Sequence, residues 1–184
     1  MSELSVGQLK GLLANNNVIT VPSGHTIYAP GSVVQVQTVR SGPTSQTISS
    51  QTPVAINGLS ISFTPKFATS RILIEAQIST SATYVSSFGI FKDGLATVST
   101  TGVNNSNEPN MQITTYFVGA SSTPDALYSI PVVHFETALS TTARTYDVRA
   151  TSGFSGVTYD LRINNRGDGI MSSFSHMVVT EIAQ

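Results

Sequence analysis

The chain contains no cysteine and no tryptophan. The first absence excludes disulfide frameworks, thiolate zinc sites and cysteine nucleophiles together, and it leaves the redox compartment open. Charge is nearly as scarce: nine Lys and Arg and ten Asp and Glu among 184 residues, 10% of the chain, against roughly 25% in an average soluble domain. Net charge is −1 and the basic residues are scattered between Lys10 and Arg166. No basic stripe exists to neutralise a run of phosphates, so nucleic acid is not an expected partner. Long apolar runs are missing as well, and none approaches the roughly 20 residues of a membrane span. The opening segment, with an acidic residue and no basic stretch ahead of its short apolar run, reads as neither secretion signal nor anchor, so no membrane insertion is expected.

Recognisable chemistry is also absent. There is no nucleophile elbow, no phosphate-cradling loop between strand and helix and no calcium-loop pattern; Gly153, Gly156, Gly167 and Gly169 fall in loops without that context. The carboxylates, among them Glu75, Asp93, Glu136, Asp147, Asp160 and Glu181, are dispersed, and spacing alone places no two across a cleft. His25, His134 and His176 are isolated in sequence and read as structural; only a meeting of several copies on an axis would let one hold an ion. The expectation is therefore no catalytic, cofactor-binding or metal-binding residue, no cofactor, and no enzyme. Arg166-Gly167-Asp168 spells an adhesive tripeptide, but within Asn164 to Gly169 it is better read as a turn, because Asn, Asp and Gly tolerate left-handed backbone angles. Asn104-Asn105-Ser106 matches a glycosylation acceptor, a triplet that arises readily by chance in an Asn- and Ser-rich chain.

What the sequence does hold is hydroxyls, amides and β-branched residues, a composition that gives a neutral, wettable surface over a strand-forming core. Residues 3–13 carry the one helix-like pattern: Leu4, Leu9, Leu12 and Leu13 lie near helical spacing, Ser2 can cap the start ahead of Glu3, and Asn15 to Asn17 stop it. Alone it would be marginal, so this leucine stripe is the candidate for attachment to another protein. Pro22, Gly24, Pro30 and Gly31 then break the following stretch into an extended connector. The expected organisation is an N-terminal helix and arm over residues 1–31 and a head over residues 32–184.

In the head the apolar period becomes two. Leu59, Ile61 and Phe63 alternate with serines and a threonine, and Ile72, Ile74, Ala76 and Ile78 alternate with Leu73, Glu75 and Gln77. Asp93-Gly94 joins two strand-like runs by a tight hairpin. Further runs cover residues 33–39, 53–64, 111–118, 128–135, 145–151, 157–164 and 174–182. About ten short, regularly spaced strands without helical interruption predict an all-β fold, an antiparallel β-sandwich or jelly roll. Pro131 marks its strand as an edge or a bulge.

The segments at residues 21–39 (VPSGHTIYAPGSVVQVQTV), 58–79 (GLSISFTPKFATSRILIEAQIS), 88–94 (FGIFKDG) and 172–184 (SSFSHMVVTEIAQ), in this order, resemble virion fibre or decoration proteins of tailed phages, particularly those of cyanobacterial and marine hosts. The likeness spans nearly the whole chain, though each motif is only a strand and a turn. It implies a jelly-roll head that associates as a homotrimer on the exterior of a virion, partnered by other virion proteins through the arm and by a host-surface glycan or protein. It gives the aromatics two roles, core or interface. Strand alternation sets Phe91 opposite Phe88 and Ile90, and Tyr116 opposite Phe117, so Phe91 and Tyr116 are the candidate trimer-interface residues. Three readings follow: a homotrimeric fibre-type protein for host attachment, a capsid decoration or cement protein, and a free carbohydrate-binding, lectin-like domain using loops 101–110 and 119–127.

Overall fold

The computed structural model describes residues 29–82, 84–98, 111–116, 126–153, 156–166 and 169–184. The expected helix and its Leu4, Leu9, Leu12 and Leu13 lie outside the described residues. So do His25, the Asn104 triplet, and all of the two candidate loops except residues 126–127. Among the described residues there is no helix long and apolar enough to cross a membrane.

Eleven strands make up the described head: β1 (Val33–Ser41), β2 (Gln46–Ile48), β3 (Val54–Phe63), β4 (Arg71–Ala82), β5 (Val85–Lys92), β6 (Leu95–Ala96), β7 (Ile113–Tyr116), β8 (Tyr128–Thr137), β9 (Arg144–Ser152), β10 (Leu161–Ile163) and β11 (Ser175–Ile182). All pairings are antiparallel. With the short β2, β6 and β10 set aside, the other eight pair from the outside in: β1 with β11, β3 with β9, β4 with β8, β5 with β7. That is one long hairpin. Folding it double brings β11 beside β4 and β9 beside β5, giving two sheets face to face, a jelly-roll sandwich as the alternating pattern predicts. β10 continues the lane of β11 along β4, and β2 continues that of β1.

The period of two explains why the layers close. β4 turns Ile72, Ile74, Ala76 and Ile78 inward, β11 adds Met177 and Val179, and β8 adds Ile130 and Val132. They meet Leu59, Ile61 and Phe63 of β3, Phe88 and Ile90 of β5, and Tyr146, Val148 and Ala150 of β9 in one buried cluster. Each fully buried large side chain contributes about 1.5–3 kcal/mol, so truncating Ile74, which is wholly buried, would cost about 2–5 kcal/mol.

Two turns show local chemistry setting the register. Asp93 and Gly94 take φ of 51° and 82°, the left-handed pair of a two-residue hairpin, and the Asp93 carboxylate accepts the Thr145 amide at 2.8 Å, tying the turn to β9. At Gly153, φ is +116° and a Cβ would lie 2.2 Å from the Val157 carbonyl oxygen, so only glycine fits there. The expected run at residues 157–164 forms a strand only over Leu161–Ile163, and β2 was not expected.

Candidate functional site

The two sheets differ on their outer faces. On the five-stranded sheet several outward residues of β5 and β9 are covered within the chain: Ser87, Phe91, Asp147 and Thr151 are all at most 9% exposed, although Thr145 is open and Arg149 partly so. On the six-stranded sheet the register lays out an open grid across β1, β11, β4 and β8. One row reads Val33, Ile182, Arg71, Thr137; the next Val36, Thr180, Leu73, Phe135; the next Thr38, Val178, Glu75, Val133; and the last Arg40, His176, Gln77, Pro131. None of these residues is buried. Apolar side chains concentrate at one end of this face, where Val33, Val36, Val133 and Phe135 are 60%, 52%, 48% and 54% exposed. Single exposed apolar residues are ordinary, but several on one sheet face, here on β1 and β8 with the part-exposed Ile182, Val178 and Leu73 between them, mark an interaction surface. Arg71 and Glu75 flank Leu73 along β4, and neither forms an ion pair with a described residue. The face thus carries both signs of charge beside its apolar residues.

Several charged and polar groups inside the sandwich are held by structural hydrogen bonds. Glu136, on β8, accepts the Lys92 ammonium at 2.6 Å and Arg144 at 3.2 Å, together with the Tyr146 hydroxyl. Burial alone would raise its carboxyl pKa, but the Lys92 bond foremost, with Tyr146 and Arg144, holds it below the ordinary value. Burial and the same carboxylate push the Tyr146 hydroxyl well above its ordinary value. His134 is lowered chiefly by burial, which outweighs the attraction of Glu136. Glu181 accepts the Lys66 and Phe67 amides at 2.9 and 3.0 Å and the Gln35 side-chain amide at 2.7 Å, and these bonds keep its pKa low against the opposing effect of burial. A relay then crosses the far end of the sandwich. The Ser79 amide donates to the Ser175 hydroxyl, which donates to Asn164 Oδ1; Asn164 Nδ2 donates to Ser41 Oγ, and Ser41 donates to the Asn57 carbonyl. Among the described residues no group of three or more His, Asp or Glu is placed to hold a metal.

Phe91 leaves the core-facing side of β5, as alternation predicts, but is only 5% exposed because the Arg149 guanidinium lies over its ring, 4.7 Å from the centroid. Within one chain it offers little surface, and a neighbour would meet it through Arg149. Tyr116 pairs with Val85 through the backbone; its side chain lies outside the described residues. His134 is half-buried on the inner side of β8, whereas His176 is exposed on the outer face of the sheet, so the two do not converge. Gly167 and Asp168 lie outside the described residues; of their neighbours, the Gly169 amide donates to the Arg166 carbonyl and the Arg166 amide to the Met171 carbonyl. Sequence reasoning missed the apolar grid. Nothing in the sequence singles out Phe135 among the aromatics, and the row that gives it neighbours joins Val36, Thr180 and Leu73 from distant parts of the chain.

No family model matches the chain, and no curated protein matches it. Among solved structures it is similar to the structure of the infectious bursal disease virus Gt strain, with a TM-score of 0.37 and 12% identity, covering 91% of this chain and 41% of that one. It is also similar to the crystal structure of the infectious bursal disease virus VP2 subviral particle, with a TM-score of 0.31 and 12% identity, covering 91% of this chain and 42% of that one. The chain spans about two fifths of the length of these chains.

Proposed function

We propose that this chain is a non-enzymatic structural protein of a virion, a homotrimeric fibre-type part whose N-terminal arm over residues 1–31 holds it and whose jelly roll over residues 32–184 is displayed outward for host-surface adhesion. The observation that carries the assembly half is the open outer face of the six-stranded sheet, where exposed apolar residues lie beside Arg71 and Glu75, neither ion-paired with a described residue. A neutral, hydroxyl-rich exterior suits the display half, since it stays soluble without attracting polyelectrolytes. The order of sequence motifs shared with tailed-phage virion proteins supports the setting. Light scattering on the purified chain tests the assembly: the expected mass is three times the 19.4 kDa of one chain, and a monomer at micromolar concentration overturns it.

A capsid decoration or cement protein is the second reading. What favours it is the shortness of the arm: about 18 residues separate the expected helix from the head, about 60 Å at full extension, with no repeats to build a shaft. Reconstruction of the intact particle separates the two. Copies spread over the shell support decoration, and copies confined to the tail support a fibre.

A further inference from the structure

At the end of the six-stranded sheet opposite the apolar patch, a cleft of about 410 Å³ opens over the start of β8, within the roughly 300–1,000 Å³ of small-molecule sites. Gln77 and Ser79 of β4, Ser129 of β8 and His176 of β11 line it, and Tyr128 and Phe174 are its aromatic residues. Tyr128 is 45% exposed and Phe174 42%. Arg40 stacks on the Phe174 ring, 3.8 Å from its centroid, which fixes the ring in place.

The lining defines a ligand class. Gln77 Nε2 donates to Ser129 Oγ at 2.7 Å, which leaves the Ser129 hydroxyl proton free to donate and the Gln77 carbonyl oxygen free to accept. Ser79 adds a hydroxyl and His176 a ring nitrogen. This polar floor is held by backbone bonds beneath it: the Ser79 amide donates to the Ser175 hydroxyl, and the Ser79 carbonyl accepts the Asn164 amide, both at 2.9 Å. Among the described residues no carboxylate or ammonium lines the cleft, and the one guanidinium beside it, that of Arg40, is laid on the Phe174 ring, so the lining itself offers no charged partner for a phosphate, a carboxylate or a cation. A purely apolar ligand would strip water from the floor without replacing its hydrogen bonds. A ligand with one apolar face and several hydroxyls satisfies both aromatic and polar groups, and a pyranose ring is such a ligand.

We propose that the cleft between Tyr128 and Phe174 is a saccharide-binding site for a neutral pyranose. It deepens the adhesion half of the proposed function and rests on that reading only for the source of the glycan. The test is a titration of the full chain, followed by amide chemical shifts, with the methyl glycosides of glucose, galactose, mannose and N-acetylglucosamine. The expected result is a saturable shift, with a dissociation constant on the order of millimolar, at Gln77, Ser79, Ser129 and His176 for at least one sugar. Tyr128→Ala and Gln77→Ala, both at exposed positions, should each weaken it at least tenfold with the spectrum still dispersed. No saturable shift with any of the four, or binding unchanged by both substitutions, overturns the site. The particle mass is read separately, so a chain that assembles but binds no sugar loses this inference alone, and a monomer that binds sugar loses only the trimer.

Discussion

At Glu181 a carboxylate on the last strand holds the loop before β4 by accepting its backbone amides, with the Gln35 side chain alongside. Its depressed pKa makes this a pH-dependent clamp. A carboxyl whose folded pKa lies below its unfolded value contributes stability that is complete above the unfolded value, near 4.3, and is lost as pH falls through the folded one. Glu136, depressed by Lys92 and its other partners, acts in the same direction. Glu181→Gln removes the charge and turns an amide NH₂ toward two backbone donors, so it should cost about 1–3 kcal/mol at pH 7. Urea unfolding at pH 7 and at pH 3 checks the sign: the gap between native and variant should shrink at the lower pH, and a gap of constant size would mean that Glu181 does not titrate as described.

At the level of the strand, β8 pairs with β4 and, among the described residues, with no strand on its other side, and Pro131 sits opposite Gln77. A proline fits a ladder only where its nitrogen faces away from the partner strand. The Val133 carbonyl, two residues on, is approached by Gln112 Nε2 at 3.5 Å, so it too points away from β4. Pro131 therefore removes one donor from the open edge of a strand that also exposes Val133 and Phe135, which protects the edge against pairing with other chains. Pro131→Val should fold with the same circular dichroism and show concentration-dependent aggregation by light scattering; an unchanged scattering profile would show that the edge is guarded by something else.

Strands of this kind were legible because each is half-buried, and a half-buried strand writes its burial into alternate residues, as in Ile72 to Ile78. Pro131 and Asp93-Gly94 were legible because proline lacks a donor and the hairpin needs positive φ. β2, at Gln46–Ile48, was not legible: three residues with one apolar member carry no period, and β2 forms because β10 is held beside β4. The covering of Phe91 was also out of reach, since parity puts a ring on the outer face but the Arg149 that covers it is 58 positions away. The candidate surface is non-local in the same way. Val36, Thr180, Leu73 and Phe135 share a row only through three ladders, and a single sequence records none of those registers.

For the whole molecule the question is which sheet face meets another copy. On the five-stranded sheet Ser87, Phe91, Asp147 and Thr151 are covered within the chain, whereas the six-stranded sheet leaves Val33, Val36, Val133 and Phe135 open, so association through that face takes apolar surface out of water. Phe135 is the largest exposed apolar side chain on that face and is about half exposed, so replacing it should barely affect the folded monomer. In a trimer the same side chain is lost three times. At about 1.5–3 kcal/mol for each buried ring, roughly 5–9 kcal/mol of assembly energy would go, several powers of ten in the dissociation constant. Phe135→Asp is therefore expected to give a folded monomer by light scattering with an unchanged unfolding midpoint under conditions where the native chain is already monomeric. Phe91→Ala on the other sheet should lower that midpoint, through loss of the ring beneath Arg149, and leave the oligomer intact. If the two substitutions exchanged effects, with Phe91 controlling assembly, the contact would lie on the five-stranded sheet and Arg149 would have to move aside to form it.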